Sequence, residues 1–328
     1  MMLRLLNSSL FIKRVLPVKA VQKIGSNVSV NDVDVPKATS ANDVVVQIAL
    51  TGVCRTDVYA ARGQIDRVID PLVLGHEFSG TVTEVGTHVT HVKVGDRVTC
   101  MPIIACGECP TCKRGTPECC PHSTMLGIDH QGAFSEYVCV PGRSIYKLPD
   151  NVSFMMGAYM EPIAASYAVT KAAIQPSDKG IVFGSNRISE LTLHILKACG
   201  FTDVDMKDAE EGLEDNSLDF AVETLADDRT MEKLIRAVKP QGIIVIKSRK
   251  YPPVGVVFND IVRKELKLIG TNYGSFEECI QMASDGKLKS VEKLWGPVHP
   301  LESFNEVFDS EEDKKQFLSA YGSDVWDR

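Results

Sequence analysis

Four absences bound what this chain does. No apolar run is long enough to cross a bilayer, so the 328 residues read as a soluble globular protein with no membrane contact. Basic residues are in deficit, 36 lysines and arginines against 43 acids for a formal charge of −7, and nothing basic enough to grip nucleic acid is present. The acids crowd between Asp203 and Asp228, where Lys207 is the single basic residue, and such a run reads as a solvated face. A disulfide framework is also missing. Of ten cysteines, Cys106, Cys109, Cys112 and Cys120 form one cluster and Cys54 stands with a histidine motif. The remainder, Cys100, Cys119, Cys139, Cys199 and Cys279, are odd in number and scattered, as free thiols in a reducing compartment are. The last absence is of acids in Met1 to Pro17, which carries Arg4, Lys13 and Arg14. It reads either as a mitochondrial presequence or as an extra strand or disordered extension. With no small-residue cleavage pattern it is not a secretory signal, and a cytoplasmic location is expected.

What is present is metal chemistry. Cys106-x2-Cys109-x2-Cys112-x7-Cys120 offers four soft thiolates in one short loop, as a closed, tetrahedral structural zinc requires. Cys119 sits beside Cys120, and either sulfur has the reach. Cys54 and His76 lie far apart in sequence and meet only if the fold brings them together. They form an incomplete zinc shell, which a third protein ligand and a water or substrate would turn into an open, working site. A histidine in Gly75-His76-Glu77 is by itself more often a turn or core residue.

The order of motifs carries a resemblance. Gly52-Val53-Cys54-Arg55-Thr56-Asp57, Gly75-His76-Glu77-Phe78-Ser79-Gly80, Val94-Gly95-Asp96-Arg97-Val98, the four-cysteine lobe and Gly132-Ala133-Phe134-Ser135-Glu136-Tyr137 together resemble the zinc-containing medium-chain alcohol dehydrogenases. Glu161-Pro162 is similar to the polyol (sorbitol) and threonine dehydrogenase branch, and the likeness runs from about Val18 to Pro162. It implies two zinc ions per chain and a nicotinamide cofactor. Cys54, His76 and Glu161 would hold the catalytic zinc, with Glu77 as an alternative ligand exchanging with water. Cys106, Cys109, Cys112 and Cys120 would hold the structural one. Thr56 would accept the alcohol proton, Asp57 would bond the second nitrogen of His76, and Arg55 would contact the cofactor's pyrophosphate. Tyr59 stands where many relatives place a relay histidine. His130 and Phe134 border the substrate pocket or simply pack. A homo-oligomer, dimer or tetramer, is the default.

Texture along the chain divides it. Short β-branched runs such as Val44 to Leu50 and Ser79 to Val85, set between turn residues, imply a β-rich first domain. Phe154 to Ala173 is low in glycine and reads as helical. Strands at Gly180 to Gly184, Leu218 to Val222, Gly242 to Ile246 and Leu266 to Ile269 then alternate with helical stretches, as in a doubly wound parallel sheet. The expected class is α/β, with a β-rich GroES-like catalytic domain (1–155 and 295–328) and a Rossmann-like dinucleotide-binding domain (156–294). About 19 residues separate Gly200 from Asp219, too few for a full crossover, so part of one βαβ unit is expected to be lost.

The cofactor turn departs from pattern. Gly184-Ser185-Asn186-Arg187-Ile188-Ser189 keeps one glycine of three. Asn186 is expected to tolerate positive φ, Ser189 to be small enough for close packing and Arg187 to attract phosphate, while Glu190 repels it. Asp205, 21 residues beyond Gly184, lies where an acid would bind the adenine ribose and select NAD over NADP. The expected function is zinc-dependent hydride transfer between a secondary alcohol (polyol, cyclitol or sugar-like) and a nicotinamide cofactor. The alternatives are a threonine or amino-alcohol dehydrogenase, and a dehydrogenase-like zinc protein that has lost cofactor binding.

Overall fold

The β-branched segment from Val44 to Leu50 sits in the strand Asp43–Gly52, in which Val44, Val45, Val46, Ile48 and Leu50 are all buried. A strand apolar on both faces belongs inside a sheet. Here it lies between Glu77–Val85 and Lys315–Ser319, in the order Ile145–Lys147, Arg97–Cys100, Glu77–Val85, Asp43–Gly52, Lys315–Ser319, Trp295–Pro300. The molecule is a computed structural model that describes residues 17–208, 210–249 and 253–322. The two readings of the N-terminal extension concern residues outside that range. The last two strands thus return the chain, after residue 294, to the sheet of Asp43–Gly52: Phe317 pairs with Gly52 and Leu318 with Thr51.

Between those visits the chain builds a second, all-parallel sheet in the order Val204–Lys207, Gly180–Phe183, Leu218–Glu223, Val238–Ile246, Lys267–Gly270. Gly180–Phe183 is buried throughout, and the helix Arg187–Ala198 after it lays Leu196 on the sheet, while Leu191 and Ile195 pack against Met160 and Ile163. Gly200, at φ +91°, follows the helix end, where only glycine enters the left-handed region freely. The crossover from Lys207 to Leu218 contains no helix among the described residues, leaving Val204–Lys207 as a sheet edge. The architecture is therefore α/β, a β-rich unit joined to a doubly wound parallel sheet, with one crossover reduced to a loop.

The stretch from Phe154 to Ala173 is not one helix. It forms Phe154–Ala158, then Met160–Tyr167, then the 3₁₀ turn Ala168–Ala172, with Tyr159 at φ −91°, ψ 1° as the break. Pro162 explains the restart: it lacks an N–H, so it suits a first helical turn and no later one. One apolar cluster joins the two units, packing Leu50 and Phe317 with Met160, Ile163, Leu191, Ile195, Tyr273 and Phe276. Among the described residues no helix is long and apolar enough to cross a membrane.

Candidate active site

Cys54 precedes the helix Arg55–Ala61 and Asp57 lies in that helix's first turn. The fully buried Asp57 carboxylate accepts the Cys54 N–H through Oδ2 at 2.9 Å and meets His76 Nδ1 through Oδ1 at 2.8 Å. One carboxylate thereby caps a helix and fixes an imidazole, so that Nε2 is the ring nitrogen left to the side of the Cys54 sulfur. Gly75 sets the approach. At φ +96° it is left-handed, and a Cβ there would stand 2.8 Å from the Phe134 nitrogen.

Glu77, next in sequence, opens the strand Glu77–Val85 and turns its buried carboxylate the same way. Donor atoms of Cys54, His76 and Glu77 all lie within 4.8 Å of one another. Burial lowers the affinity of His76 for a proton, but the Asp57 carboxylate and the Cys54 sulfur outweigh it and hold the imidazole well above its ordinary pKa. Burial also pushes the Glu77 carboxyl up, with Lys315 pulling it back and Glu161 adding to the rise. The Lys315 ammonium, itself buried, is in ion-pair contact with Glu77 Oε2 and donates to the Val53 carbonyl at 2.9 Å. Lys315 is thus the counter-ion of Glu77 inside the protein. Sulfur, imidazole and carboxylate form a donor set that fits Zn²⁺.

Glu161 is not in that trio. It lies in the first turn of Met160–Tyr167, and its Oε1 accepts the hydroxyl of Tyr273, a fully buried tyrosine. It does line the same cavity, of about 500 Å³, as Cys54 and Glu77. Thr56 Oγ1 stands 3.7 Å from Cys54 Sγ. Tyr59, a turn further on, is 48% exposed and outside the cavity lining, as are His130, bonded to Thr124 Oγ1 at 2.7 Å, and Phe134, fully buried in a core cluster.

The four cysteines converge in their own lobe. Sγ to Sγ distances are 3.5 Å for Cys109 and Cys112, 3.6 Å for Cys106 and Cys120, 3.8 Å for Cys109 and Cys120, and 3.9 Å for Cys106 and Cys112. A zinc with bonds of about 2.3 Å to sulfur sets tetrahedral edges of roughly 3.8 Å, so this cage fits the ion. Cys120 belongs to it, and the exposed Cys119 does not. The Cys112 N–H aimed at Cys109 Sγ lowers that thiol to about 6, against its burial.

At the cofactor turn the structure revises the expectations in part. Gly184, at φ +139°, is tight: a Cβ would stand 2.2 Å from Thr224 Oγ1 and 2.7 Å from Ser189 Oγ. Asn186 does not take positive φ; at −97° it is the helix N-cap, its Oδ1 accepting the Ile188 and Ser189 N–H groups at 2.9 and 3.0 Å. These are donors a diphosphate would otherwise use. Ser189 turns its hydroxyl to Thr224 Oγ1 at 2.8 Å. Arg55 and Arg187 both line the cavity, and Arg187 also donates to the Lys314 carbonyl at 3.1 Å. Glu190 points elsewhere, 3.8 Å from His194.

Asp205 is not brought to the cavity. It is an exposed mid-strand residue opposite Ile181, whereas the strand end beside Gly184 is Lys207, whose carbonyl takes the Gly184 N–H at 2.9 Å. A ribose acid has to stand at that end, two residues on. Sequence reasoning also missed Lys315, Tyr273, Lys247 and Arg249. The last two follow directly on the apolar strand Val238–Ile246, and the carboxyl end of a parallel strand was the signal for them.

Comparison with known proteins bears on most of the chain. Residues 40–150 match the alcohol dehydrogenase GroES-like domain. The D-arabitol-phosphate dehydrogenase of Enterococcus avium is 30% identical over 315 residues, 85% of this chain and 89% of that protein. The D-xylulose reductase A of Aspergillus niger is 37% identical over 199 residues, 59% of this chain and 54% of its own length. A zinc-binding dehydrogenase structure from Sinorhizobium meliloti 1021, bound to NADP, superposes with a TM-score of 0.82 at 25% identity, covering 92% of this chain and 99% of that one. The donor trio, the thiolate cage, the two-part fold and these likenesses agree: the chain belongs to the zinc-containing medium-chain alcohol dehydrogenases, with the polyol dehydrogenases as its relatives.

Proposed function

We propose that the protein is a zinc- and nicotinamide-dependent polyol dehydrogenase, transferring hydride between a secondary alcohol and the cofactor. One observation carries the reading: Cys54 and Glu77, two of the three clustered metal donors, line a cavity of about 500 Å³ that Arg55, Arg187 and Thr224 line too. That is ample room for a small ligand beside a metal. When bound, a zinc here would supply polarisation of the alcohol oxygen, and a nicotinamide would supply the hydride acceptor.

The chain's own residues do the rest. Cys54, His76 and Glu77 would hold the metal, and Glu161, which lines the same cavity, would be a further carboxylate within the site. Asp57 keeps His76 in the tautomer whose Nε2 is unprotonated. Thr56, beside the Cys54 sulfur, takes the alcohol proton and passes it toward solvent, with no histidine at Tyr59 to extend the path. Arg55 and Arg187 hold the diphosphate, and Gly184, Asn186 and Ser189 shape the turn beneath it. Cys106, Cys109, Cys112 and Cys120 hold a second, structural zinc. In this scheme 1–155 with 295–328 is the catalytic unit and 156–294 the cofactor unit. With Asp205 outside the cavity, the preference for NAD over NADP loses its support, and both belong in the assay. A homo-oligomer suits the edge strand Lys267–Gly270, near which Phe258 and Val262 are 73% and 71% exposed.

The Asn186 cap favours a second reading, a zinc protein that no longer binds the dinucleotide, because the turn's amides are already spoken for. Calorimetric titration of NADH into zinc-loaded protein separates the two. Binding, followed by NAD- or NADP-dependent oxidation of at least one polyol, cyclitol or hydroxy amino acid, is the expected outcome. No binding at full zinc occupancy overturns the dehydrogenase assignment.

A further inference from the structure

The four-cysteine lobe is held mainly by its own sulfurs. Between Ala105 and Cys120 its regular elements are the four-residue helix Pro110–Lys113 and the 3₁₀ turn Pro117–Cys119. Its apolar cluster is Ala105 with Cys109 and Cys120, against which Cys106 and Cys112 pack. A lobe whose core is its metal ligands takes its shape from the ion that gathers them. Glu118 lies in the 3₁₀ turn, two residues before the donor Cys120, so the place of its backbone follows the cage.

That backbone touches the other half of the molecule. The Glu118 carbonyl accepts the side-chain amide of Asn272, through Nδ2, at 2.9 Å, and Asn272 belongs to the segment that follows the edge strand Lys267–Gly270. On its other side Asn272 Oδ1 accepts Arg249 Nη2 at 2.8 Å, and the Asn272 carbonyl accepts the Lys247 ammonium at 3.1 Å. Lys247 and Arg249 line the cavity, whereas Asn272 does not. The place asks for an amide: a carbonyl can only accept and a guanidinium can only donate, so the side chain between them must donate one way and accept the other. A carboxylate would set oxygen against the Glu118 carbonyl, and an aliphatic side chain would leave both partners bare.

We propose that Asn272 is a positioning residue that couples the four-cysteine cage to cofactor binding: the cage sets the Glu118 carbonyl, that carbonyl sets the Asn272 amide, and Asn272 holds two residues of the cavity wall. The inference rests on the dehydrogenase reading and adds a link between its structural metal and its cofactor. Coupling between two binding events is reciprocal, so a dinucleotide in the cavity tightens the hold of the cage on its metal by the factor that the metal tightens the hold on the dinucleotide. The other contact of Glu118 is of a different kind. Its carboxylate, not its carbonyl, pairs with Lys171, a lysine 47% exposed, and so exposed a pair contributes little.

The test is calorimetric titration of NADH into the full-length, zinc-loaded protein, for the wild type, Asn272→Leu, Cys109→Ser and the double variant, with the zinc content of each measured. Cys109→Ser is expected to raise the Kd about fivefold, as the loss of one neutral hydrogen bond does, and Asn272→Leu about tenfold, since it also frees Arg249. The double variant is expected to match Asn272→Leu alone, because both changes cut one chain of contacts. Independent effects would multiply to roughly fiftyfold. That outcome, or an unchanged Kd in either single variant, overturns the inference while leaving the dehydrogenase standing. Lys171→Met, which removes only the ion pair, is expected to leave the Kd within about twofold; a rise equal to that of Asn272→Leu would show that docking of the lobe at large, not Asn272, carries the effect. Should Cys109→Ser lose the wild-type unfolding transition, the wild type decides by reciprocity: saturating NADH should raise the affinity of the cage for cobalt, read from its four-thiolate absorption in chelator competition, about fivefold, and an unchanged affinity refutes the coupling. If the wild type binds no NADH at full zinc occupancy, the proposed function fails and the cage alone decides: Asn272→Leu giving up cage metal at a lower chelator concentration than the wild type upholds the clasp, and equal retention refutes it.

Discussion

Replacing Asp57 with asparagine tests the centre of the site without changing its shape. The carboxylate has two oxygens and each has one partner, His76 Nδ1 at 2.8 Å and the Cys54 N–H at 2.9 Å. An asparagine has one oxygen and one amide nitrogen, so whichever way it turns, one donor faces another donor. With Asp57 fully buried, no water relieves the clash. An unsatisfied buried donor costs about 1–3 kcal/mol, and a lost charge-assisted bond adds a similar amount, so roughly 3 kcal/mol is expected. At roughly 3 °C per kcal/mol that is a fall of about 9 °C in Tm. Loss of the group that orients a metal-binding histidine typically costs 10- to 100-fold in metal affinity. The assay is differential scanning calorimetry of the zinc-loaded protein, with zinc retention measured by elemental analysis across a chelator series. One zinc should be lost early and the other held. A variant that melts with the wild type and keeps both metals equally would refute the double role given to this carboxylate.

Three further outcomes follow. Cys109→Ser breaks the thiolate cage and is expected to lower stability and release one zinc while the metal at Cys54, His76 and Glu77 stays; simultaneous loss of both would contradict the division into two sites. Asn186→Gly removes the side chain that occupies the Ile188 and Ser189 N–H groups at a cost of only a few tenths of a kcal/mol, since glycine is tolerated at an N-cap. NADH is expected to bind more tightly to it by calorimetry, and weaker binding would show that Asn186 contacts the cofactor instead. Lys247 has its pKa lowered to about 8 by burial and by Arg249, with Glu161 opposing, so it is charged below that value and neutral above it. The affinity of the cavity for NADH, an anion, should therefore fall as pH rises through about 8, and a flat calorimetric profile from pH 7 to 9 would show that the Lys247 charge plays no part in it.

Much of the catalytic half was legible because its chemistry is local in the chain. The spacing of Cys106, Cys109, Cys112 and Cys120 closes a cage within one short loop, and Thr56 and Asp57 follow Cys54 on a single helical turn. What lies beyond one segment is not legible in this way. From sequence Asn186 is a residue that tolerates positive φ, yet the helix start uses its side chain as the N-cap. The position of Asp205 rests on a count of residues, and a count does not locate the end of a strand. The composition of Phe154 to Ala173 reports helical propensity, while the break at Tyr159 reflects where Pro162 permits a helix to begin.

The residues by themselves determined the four-cysteine donor set, the β-rich and α/β halves and the shortened crossover, since spacing, alternation and segment length are properties of a linear chain. Only the tertiary structure decided that Glu77 joins Cys54 and His76 while Glu161 turns to Tyr273, that Lys315 returns from the last strand to meet a buried carboxylate, and that Lys247 and Arg249 face the same cavity. These are meetings between side chains far apart in the chain, such as Glu77 and Lys315, and whether such charges meet depends on how the elements pack, which no local pattern encodes.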